Sequence, residues 1–188
     1  MTDAAQNLMT VDEFLVAYEG REGKWELDDG VVVGPAIGMA SEQVDHGRTK
    51  AATWLALRDA IRRAKAPCEA MIDSVAVRIS PRTAYIPDAL VYGGPRLPGD
   101  AREAPDPLIV VEVVSPSTER RDERRKFVGY FSLPGVRHYL IVDPRDRSVF
   151  HHRRGEDGRI EARLLESGAL ALEPPGLELN VEDLFGEA

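Results

Sequence analysis

The stretch that decides the fold is residues 108–118, which read Leu108-Ile109-Val110-Val111-Glu112-Val113-Val114-Ser115-Pro116-Ser117-Thr118. Its first part is apolar apart from Glu112, a pattern that predicts the central strand of a sheet covered on both faces. The following residues end the strand, and Ser117 or Thr118 is a suitable N-cap for a helix that runs through Phe131. A buried strand that leads into a helix is typical of a sheet flanked by helices.

Further strands are predicted on both sides of this stretch. Apolar runs bounded by turn residues occur at residues 74–79, 85–91 and 139–142, and in a peripheral hairpin of 148–151 with 160–165. Pro87 interrupts the second run, and because proline cannot donate to a ladder, it belongs at an edge or at an irregular strand start. Together with the central strand, these segments predict a mixed sheet.

The N-terminal third predicts a helix, a hairpin and a long helix. Thr10 is a suitable N-cap, with Glu13 as its capping-box partner, for a helix over residues 10–20. An Asp-Asp-Gly turn between two apolar runs is a strong signal for a hairpin over residues 24–33. Apolar residues at helical spacing then predict a helix over residues 41–65, with a serine as its cap.

Length and composition predict one domain of the mixed α/β (α+β) class. The chain has 188 residues, of which 43% are hydrophobic and 30% charged, as in an ordinary globular protein. The expected domain spans residues 1–188, with an N-terminal helix and hairpin at about 9–34 and a C-terminal hairpin region at about 145–185. The single cysteine, Cys68, excludes an intramolecular disulfide and a cysteine metal cluster.

Charge and hydropathy restrict the partners. The net charge of −8 argues against a protein that coats nucleic acid through bulk positive charge, although local basic patches remain open. The longest apolar runs are about half the roughly 20 residues that cross a bilayer, so no membrane partner is expected. The N-terminus has no basic region followed by an apolar block, and we therefore expect a cytoplasmic protein.

Glu112 is the most informative residue of the chain. An ionised carboxylate in an apolar strand carries a large desolvation cost unless a cation or hydrogen-bond donors compensate it. A structural arginine or an exposed strand end is one interpretation. The other is a site shared with Asp88, which follows the break at Pro87, because two converging carboxylates suit a hard divalent cation such as Mg²⁺. For Asp88 alone, a turn aspartate bonded to its own backbone stays open.

The helix after Glu112 offers further candidates. Asp122, Lys126 and Tyr130 stand four residues apart and line one face. From this face Lys126 is able to reach inward and either stabilise charge on a phosphoryl oxygen or help to position and deprotonate a water. An exposed Asp122–Lys126 pair is the alternative. The same helix carries a basic strip suited to phosphate contacts, or else a solvated face. That strip consists of Arg120, Arg121, Arg124 and Arg125.

Several motifs together resemble one superfamily of enzymes. In chain order they are Met9 to Phe14, Trp25 to Gly30, Asp45-His46, Ile86-Pro87-Asp88, Val110 to Thr118, Asp122 with Lys126 and Tyr130, Gly135-Val136, and Tyr139 to Pro144. This combination resembles the PD-(D/E)XK nuclease superfamily and, more narrowly, its compact bacterial family of Uma-type restriction endonucleases. The resemblance covers most of the chain.

The resemblance implies a restriction-endonuclease-like fold, a central mixed sheet flanked by helices, in which Asp88 and Glu112 hold Mg²⁺, with Mn²⁺ as a substitute. The sequence departs from the superfamily pattern in one place, because Val114 stands two residues after Glu112, where the superfamily has a lysine. The resemblance implies that Lys126 replaces that lysine in space. The catalytic set would then be Asp88, Glu112 and Lys126.

Two accessory residues follow from the same resemblance. Glu26 matches an early glutamate of the family and is a candidate metal ligand or water-positioning group, while a surface charge of the hairpin is an equally open interpretation. His46 matches a recurrent histidine and is a candidate contact to phosphate or to a water at the metal. A local role at the start of the long helix is the alternative for His46.

Two functions from different classes stay open. The first is a Mg²⁺-dependent endonuclease that hydrolyses phosphodiester bonds of DNA. The second is a catalytically inactive module of the same fold that binds nucleic acid or a protein, which the acidic charge and Val114 favour. Superfamily nucleases often work as dimers, so a homodimer is also expected. A structure separates the two functions, since a nuclease requires the carboxylates of Asp88 and Glu112 to converge on one ion.

Overall fold

The computed structural model describes residues 8–34, 44–115 and 120–186, without the side chains of 120–123. Three α-helices lie in these residues, together with a 3₁₀-helix over Val181–Leu184. The α-helices are α1 (Val11–Ala17), α2 (Val44–Ala64) and α3 (Arg120–Ser132). None of the described helices has the length and apolar character needed to cross a bilayer.

The strands of the described residues form three sheets. In chain order they are β1 (Glu26–Asp28), β2 (Val31–Val33), β3 (Glu69–Ile72), β4 (Val77–Ser80), β5 (Thr83–Tyr85), β6 (Ala89–Tyr92), β7 (Ile109–Val113), β8 (His138–Asp143), β9 (Ser148–Arg154), β10 (Ile160–Leu165), β11 (Ala169–Leu172) and β12 (Leu177–Asn180). The central sheet has the order β10-β9-β8-β7-β6-β3, a smaller sheet has the order β2-β1-β5-β4, and β11 pairs with β12. The fold is therefore a mixed α+β fold.

The predicted central strand is confirmed as β7. It is antiparallel to β6 and parallel to β8, and the β7–β8 pair is the parallel pair of the central sheet. All its residues are buried except Glu112, which is partly exposed. The chain crosses from β7 to β8 through α3, which covers one face of the sheet, as expected for a parallel connection.

The two faces of the central sheet carry different cores. On one face, alternate side chains of β6 and β7 such as Val91 and Val111 pack with α2 and the β11–β12 hairpin. On the other face, Leu90 and Val110 pack with Tyr130 of α3. A third cluster joins α1 to the small sheet. Side chains that share a face with Leu90 and Val110 therefore point toward α3.

The N-terminal helix, hairpin and long helix are confirmed, although α1 ends at Ala17 rather than near residue 20. Thr10 caps α1, and its side chain and that of Glu13 form both bonds of a capping box. β1 and β2 pair antiparallel around a turn in which Asp29 and Gly30 have positive φ angles of 48° and 82°. The long helix is confirmed as α2, whereas its predicted cap Ser41 and the predicted caps Ser117 and Thr118 of α3 lie outside the described residues.

The predicted strand over residues 85–91 is wrong as one strand. β5 ends at Tyr85 in the small sheet, and β6 begins at Ala89 in the central sheet. Pro87 lies in the link, where its missing N–H and its restriction of the preceding residue end one ladder before the next begins. This link places Asp88 directly before β6, at the end of the central sheet where β7 also ends.

Other strand bounds also differ from the prediction. β4 runs over Val77–Ser80 rather than 74–79, because Ala76 forms an isolated bridge with Glu103. The strands β3, β11 and β12 were not predicted. The peripheral hairpin is confirmed as β9 and β10, with β9 extending to Arg154.

Candidate active site

Asp88 and Glu112 lie opposite each other on the α3 side of the central sheet. The β6–β7 register pairs Leu90 with Val110 and Ala89 with Val111, and Asp88 comes directly before Ala89 just as Glu112 comes directly after Val111. Because side chains alternate along a strand, both carboxylates share the face of Leu90 and Val110. Two like charges directly opposite each other destabilise a sheet, so this arrangement requires a cation between them or beside them.

Asp88 is fixed by the backbone of β7. Its side chain is 4% exposed, and its Oδ2 accepts a 2.6 Å hydrogen bond from the N–H of Val113. The backbone carbonyl of Val113 accepts a 3.0 Å hydrogen bond from Nε2 of His46, which therefore carries a proton on Nε2. His46 is buried, and this Nε2 lies 4.0 Å from Oδ2 of Asp88.

Lys24 lies between the two carboxylates. Its Nζ donates a 2.8 Å hydrogen bond to Oδ1 of Asp88 and lies 3.6 Å from Oε2 of Glu112. The same ammonium is 3.9 Å from Oδ1 of Asp73. Asp88 and Glu112 thus each direct one oxygen toward a single cation, the ammonium of Lys24.

The other oxygen of Glu112 faces α3. Glu112 Oε1 accepts a 2.8 Å hydrogen bond from the hydroxyl of Tyr130 and a 3.2 Å hydrogen bond from Nζ of Lys126. Lys126 is buried and also lies 3.0 Å from Oε1 of Glu26. This Glu26 oxygen accepts a further hydrogen bond from the N–H of Ile86. The interpretation of Lys126 as an exposed helix residue is therefore wrong, and so is that of Glu26 as a surface charge.

Lys50 and Asp73 complete the cluster. Lys50 is a buried residue of α2, one turn after His46, and its Nζ pairs with Oδ2 of Asp73. The same Nζ lies 3.7 Å from Oδ1 of Asp88. Asp73 follows β3 and has a φ of 43°, a left-handed conformation that turns the chain back toward the site.

The surroundings shift the pKa of Asp88 and of Lys24 toward the charged form, and that of Glu26 and of Tyr130 toward the neutral form. Burial alone would raise the pKa of Asp88, but Lys24 outweighs that effect, with help from the Val113 N–H, and the pKa is lowered. Burial alone would lower the pKa of Lys24, but Glu112 and Asp88 raise it. The pKa of Glu26 is raised, chiefly because burial outweighs the attraction of Lys126. Burial, followed by the charge of Glu112, raises the pKa of Tyr130 well above its usual value.

The basic strip of α3 is only partly described. Arg124 and Arg125 are exposed, and Arg125 pairs with Asp28 of β1. The side chains of Arg120, Arg121 and Asp122 lie outside the described residues. Arg124 therefore remains a candidate phosphate contact near the site, and Arg125 is engaged by the hairpin.

The donor set suits a small hard cation. Within the described residues no group of three or more His, Cys, Asp and Glu side chains has the arrangement of a metal site. Asp88 and Glu112 nevertheless direct one oxygen each toward a single positive charge. Mg²⁺ is commonly bound by one or two carboxylates, with waters and substrate phosphates as the other ligands. Two convergent carboxylates, with Lys24 Nζ as a stand-in cation, meet that requirement.

Sequence reasoning missed three members of the cluster. Lys50 had a usable signal, because it stands four residues after His46 on the same helix face. Lys24 stands two residues before Glu26 within the hairpin predicted over residues 24–33, and two residues at that spacing in a strand share a face. Asp73 carried no comparable signal, since its place depends on β3, which was not predicted.

A solved structure with the same fold is that of a nuclease, described as putative and belonging to DUF820, from Anabaena variabilis ATCC 29413. The two chains have a TM-score of 0.73 and 16% identity, over 94% of this chain and 97% of the other. At that identity the likeness concerns the fold. No curated protein matches this chain.

The particular family follows from the sequence. The Uma2 family, described as "Putative restriction endonuclease", matches residues 11–184. The chain belongs to this family, as its motifs predicted. The match includes the three residues of the expected catalytic set, Asp88, Glu112 and Lys126.

Proposed function

We propose that this protein is a Mg²⁺-dependent endonuclease that hydrolyses phosphodiester bonds of DNA, with Mn²⁺ able to substitute. The observation that carries the proposal is the convergence of the Asp88 and Glu112 carboxylates on one cationic position at the end of β7. Membership of a restriction-endonuclease family supports the reaction type. When bound by these carboxylates, Mg²⁺ supplies a Lewis acid that polarises a phosphate and lowers the pKa of an attacking water.

The residues of this chain have separable roles in that reaction. Asp88 and Glu112 hold the metal, and the bonds from the Val113 N–H and the Tyr130 hydroxyl fix their orientation. Lys126 lies against Glu112 and offers its ammonium to the negative charge that develops on the phosphoryl group. Glu26 positions Lys126 through their 3.0 Å contact. Water attacks phosphorus as the bond to the 3′-oxygen breaks, and that oxygen takes a proton, which gives a 3′-hydroxyl and a 5′-phosphate.

The arrangement also supports a replacement of the missing lysine by Lys126. Val114 stands where the superfamily has lysine, yet Lys126 places a buried ammonium 3.2 Å from Glu112. Its position on α3 rather than on β7 still directs it to the same carboxylate. The departure in sequence is therefore compatible with an active site.

A test of the proposal is cleavage of plasmid, linear, branched and single-stranded DNA with Mg²⁺ or Mn²⁺. Wild type is compared with Glu112→Gln and with Glu178→Gln, a change of an exposed glutamate of β12 as a matched control. We expect cleavage by wild type and by the control, its loss in EDTA, and a loss of at least about 100-fold in Glu112→Gln. Equal cleavage by Glu112→Gln and wild type would contradict the proposal.

One observation favours a second candidate function, a catalytically inactive module that binds DNA. Lysines 24, 50 and 126 already compensate the carboxylates of the site, so the fold is electrostatically complete without a metal. A module of this kind would bind the same DNA with equal affinity in wild type and Glu112→Gln, and would cleave none of it. Gel-shift and cleavage assays on the two proteins separate the candidates.

A further inference from the structure

We propose that Lys24 competes with the divalent cation for the place between Asp88 and Glu112, so that metal binding is an exchange of one cation for another. The inference rests on the proposed function, because it concerns the same carboxylates. Its basis is that Lys24 Nζ lies 2.8 Å from Oδ1 of Asp88 and 3.6 Å from Oε2 of Glu112. These are the oxygens that a bound metal ion requires.

Among the described residues, Lys24 is the one cation within 4 Å of both carboxylates. Lys126 contacts Glu112 and Glu26, on the α3 side of the cluster. Lys50 contacts Asp88 and Asp73, on the α2 side. Both of these lysines adjoin the position between the carboxylates, whereas the ammonium of Lys24 occupies it.

Lys24 is also the lysine of the cluster best able to move. About a third of its side chain is exposed, at 32%, whereas those of Lys50 and Lys126 are about one-tenth exposed. It stands before β1 begins and outside the strand ladder, on a flexible four-carbon stem. Asp73, itself partly exposed and 3.9 Å away, offers a second partner when the ammonium leaves Asp88.

The exchange has a physical reason. The carboxylates of Asp88 and Glu112 are 4% and 12% exposed, and a buried charge without a partner is strongly destabilising. Lys24 therefore stabilises the metal-free fold. The same contact lowers the apparent metal affinity, because Lys24 has to leave before the two carboxylates can coordinate a divalent ion.

The central experiment is a calorimetric titration with Mn²⁺ alone. Wild type is compared with Lys24→Gln, Lys50→Gln and Glu112→Gln. Lys50→Gln is the matched control, because it removes the same charge near Asp88 without clearing the position between the carboxylates. We expect Lys24→Gln to bind Mn²⁺ about tenfold or more tightly than wild type, Lys50→Gln to gain less, and Glu112→Gln to lose binding.

The outcomes separate the two proposals. In one outcome, wild type binds Mn²⁺ and Glu112→Gln does not, but Lys24→Gln binds no more tightly than Lys50→Gln. This result overturns the role of Lys24 and leaves the metal site standing. Absence of binding in both wild type and Lys24→Gln overturns the proposed function, and the competition with it. Binding by Lys24→Gln alone supports both.

A second measurement uses wild type only and does not depend on the folding of a variant. Acetylation of lysines by acetic anhydride is followed by peptide mass spectrometry at increasing Mn²⁺ concentration. We expect the acetylation rate of Lys24 to rise several-fold, with its midpoint at the same Mn²⁺ concentration as the midpoint of the calorimetric titration. The acetylation rate of an exposed lysine, Lys65, should stay constant. A Lys24 that reacts no faster at saturating Mn²⁺ would show that it stays in place, which overturns the competition.

Discussion

At the scale of single residues, one buried carboxylate organises the site. Glu112 is the charged residue of an otherwise apolar β7, and it receives Tyr130 and Lys126 on one oxygen and Lys24 near the other. The desolvation argument from sequence required compensation for this charge, and the structure supplies lysines rather than an arginine. The residue that broke the apolar pattern is therefore the one around which the site is built.

Lys126→Met separates catalysis from packing, because methionine keeps most of the apolar stem. We expect turnover to fall about 100-fold, since the ammonium beside Glu112 is lost. We also expect the free energy of unfolding to fall by about 3 kcal/mol, because Glu26 and Glu112 lose a buried partner. DNA cleavage and urea denaturation measure the two effects. The control is Lys65→Met at an exposed position, and full turnover in Lys126→Met would exclude a catalytic role for this lysine.

The site was predictable where the signal was local. Asp88, Glu112 and Lys126 were found because a polar residue interrupts an apolar strand, a proline marks a break, and a lysine stands on a fixed helix face. Their catalytic and metal-binding roles stay predictions. Lys24 was not found, since its contacts join residues 64 and 88 positions apart in the chain. Such long-range contacts depend on sheet order, which local periodicity does not encode.

At the scale of elements, the distinction between local sequence signals and long-range contacts also holds for the fold. The α1 capping box, the β1–β2 turn and the apolar run of β7 are all local patterns, and each prediction is confirmed. The run at 85–91 was wrong as one strand because its two halves join different sheets. β11 and β12 were missed although their residues alternate between buried and exposed, because each strand has only four residues.

Gly129 is where α3 approaches the small sheet. An added Cβ would lie 2.8 Å from Cε2 of Tyr85, a buried ring that packs edge-on against Tyr130. Alanine in a helix is favoured over glycine by about 1 kcal/mol, but here we expect Gly129→Ala to lower both the melting temperature and cleavage, because α3 has to shift together with Tyr130. Val128→Ala at the exposed neighbouring position is the control, and we expect a slight gain in its melting temperature. A more stable Gly129→Ala would contradict this packing argument.

A buried histidine pair joins β8, β9 and the loop before β12. Nε2 of His138 donates to the carbonyl of Pro174 at 3.0 Å, so the neutral ring accepts at Nδ1 from Nε2 of His151, at 2.9 Å. Burial lowers the pKa of each histidine to about 4. The fold therefore favours the neutral form of both rings.

Acid should weaken the fold through this pair. Because the histidine pKa values are lower in the folded chain than the ordinary value of about 6.5, the unfolded chain binds more protons between these values. The contribution to stability is complete above pH 6.5 and is lost as the pH falls toward 4. We expect urea denaturation to show a smaller loss of stability between pH 7 and pH 5 in His138→Gln than in wild type. An identical loss in both proteins would exclude this contribution.

At the scale of the whole molecule, the proposed function requires an acidic protein to bind DNA, an acidic polymer. The net charge is −8, so we expect the proposed DNA binding to depend on local positive groups rather than on the overall field. In the described residues the site itself has nearly equal numbers of lysines and carboxylates. We therefore expect the exposed arginines of α3 to contribute the phosphate contacts. Among the described side chains of α3, Arg124 and Arg125 are exposed arginines, and Arg125 pairs with Asp28 of the hairpin, which leaves Arg124 as the candidate.

Salt dependence tests this view of DNA binding. We expect affinity for a short duplex, measured by fluorescence anisotropy with Ca²⁺ in place of Mg²⁺, to fall steeply between about 50 and 200 mM salt. Arg124→Ser should weaken binding and reduce the slope of log affinity against log salt by about 1, the loss of one phosphate contact. Arg62→Ser is the control, because Arg62 is an exposed residue of α2 twelve positions after Lys50 and so about 18 Å along the helix from the site. An equal change in the salt-dependence slope for both substitutions would mean that affinity depends only on the net charge of the protein. The basic strip of α3 would then make no specific phosphate contact.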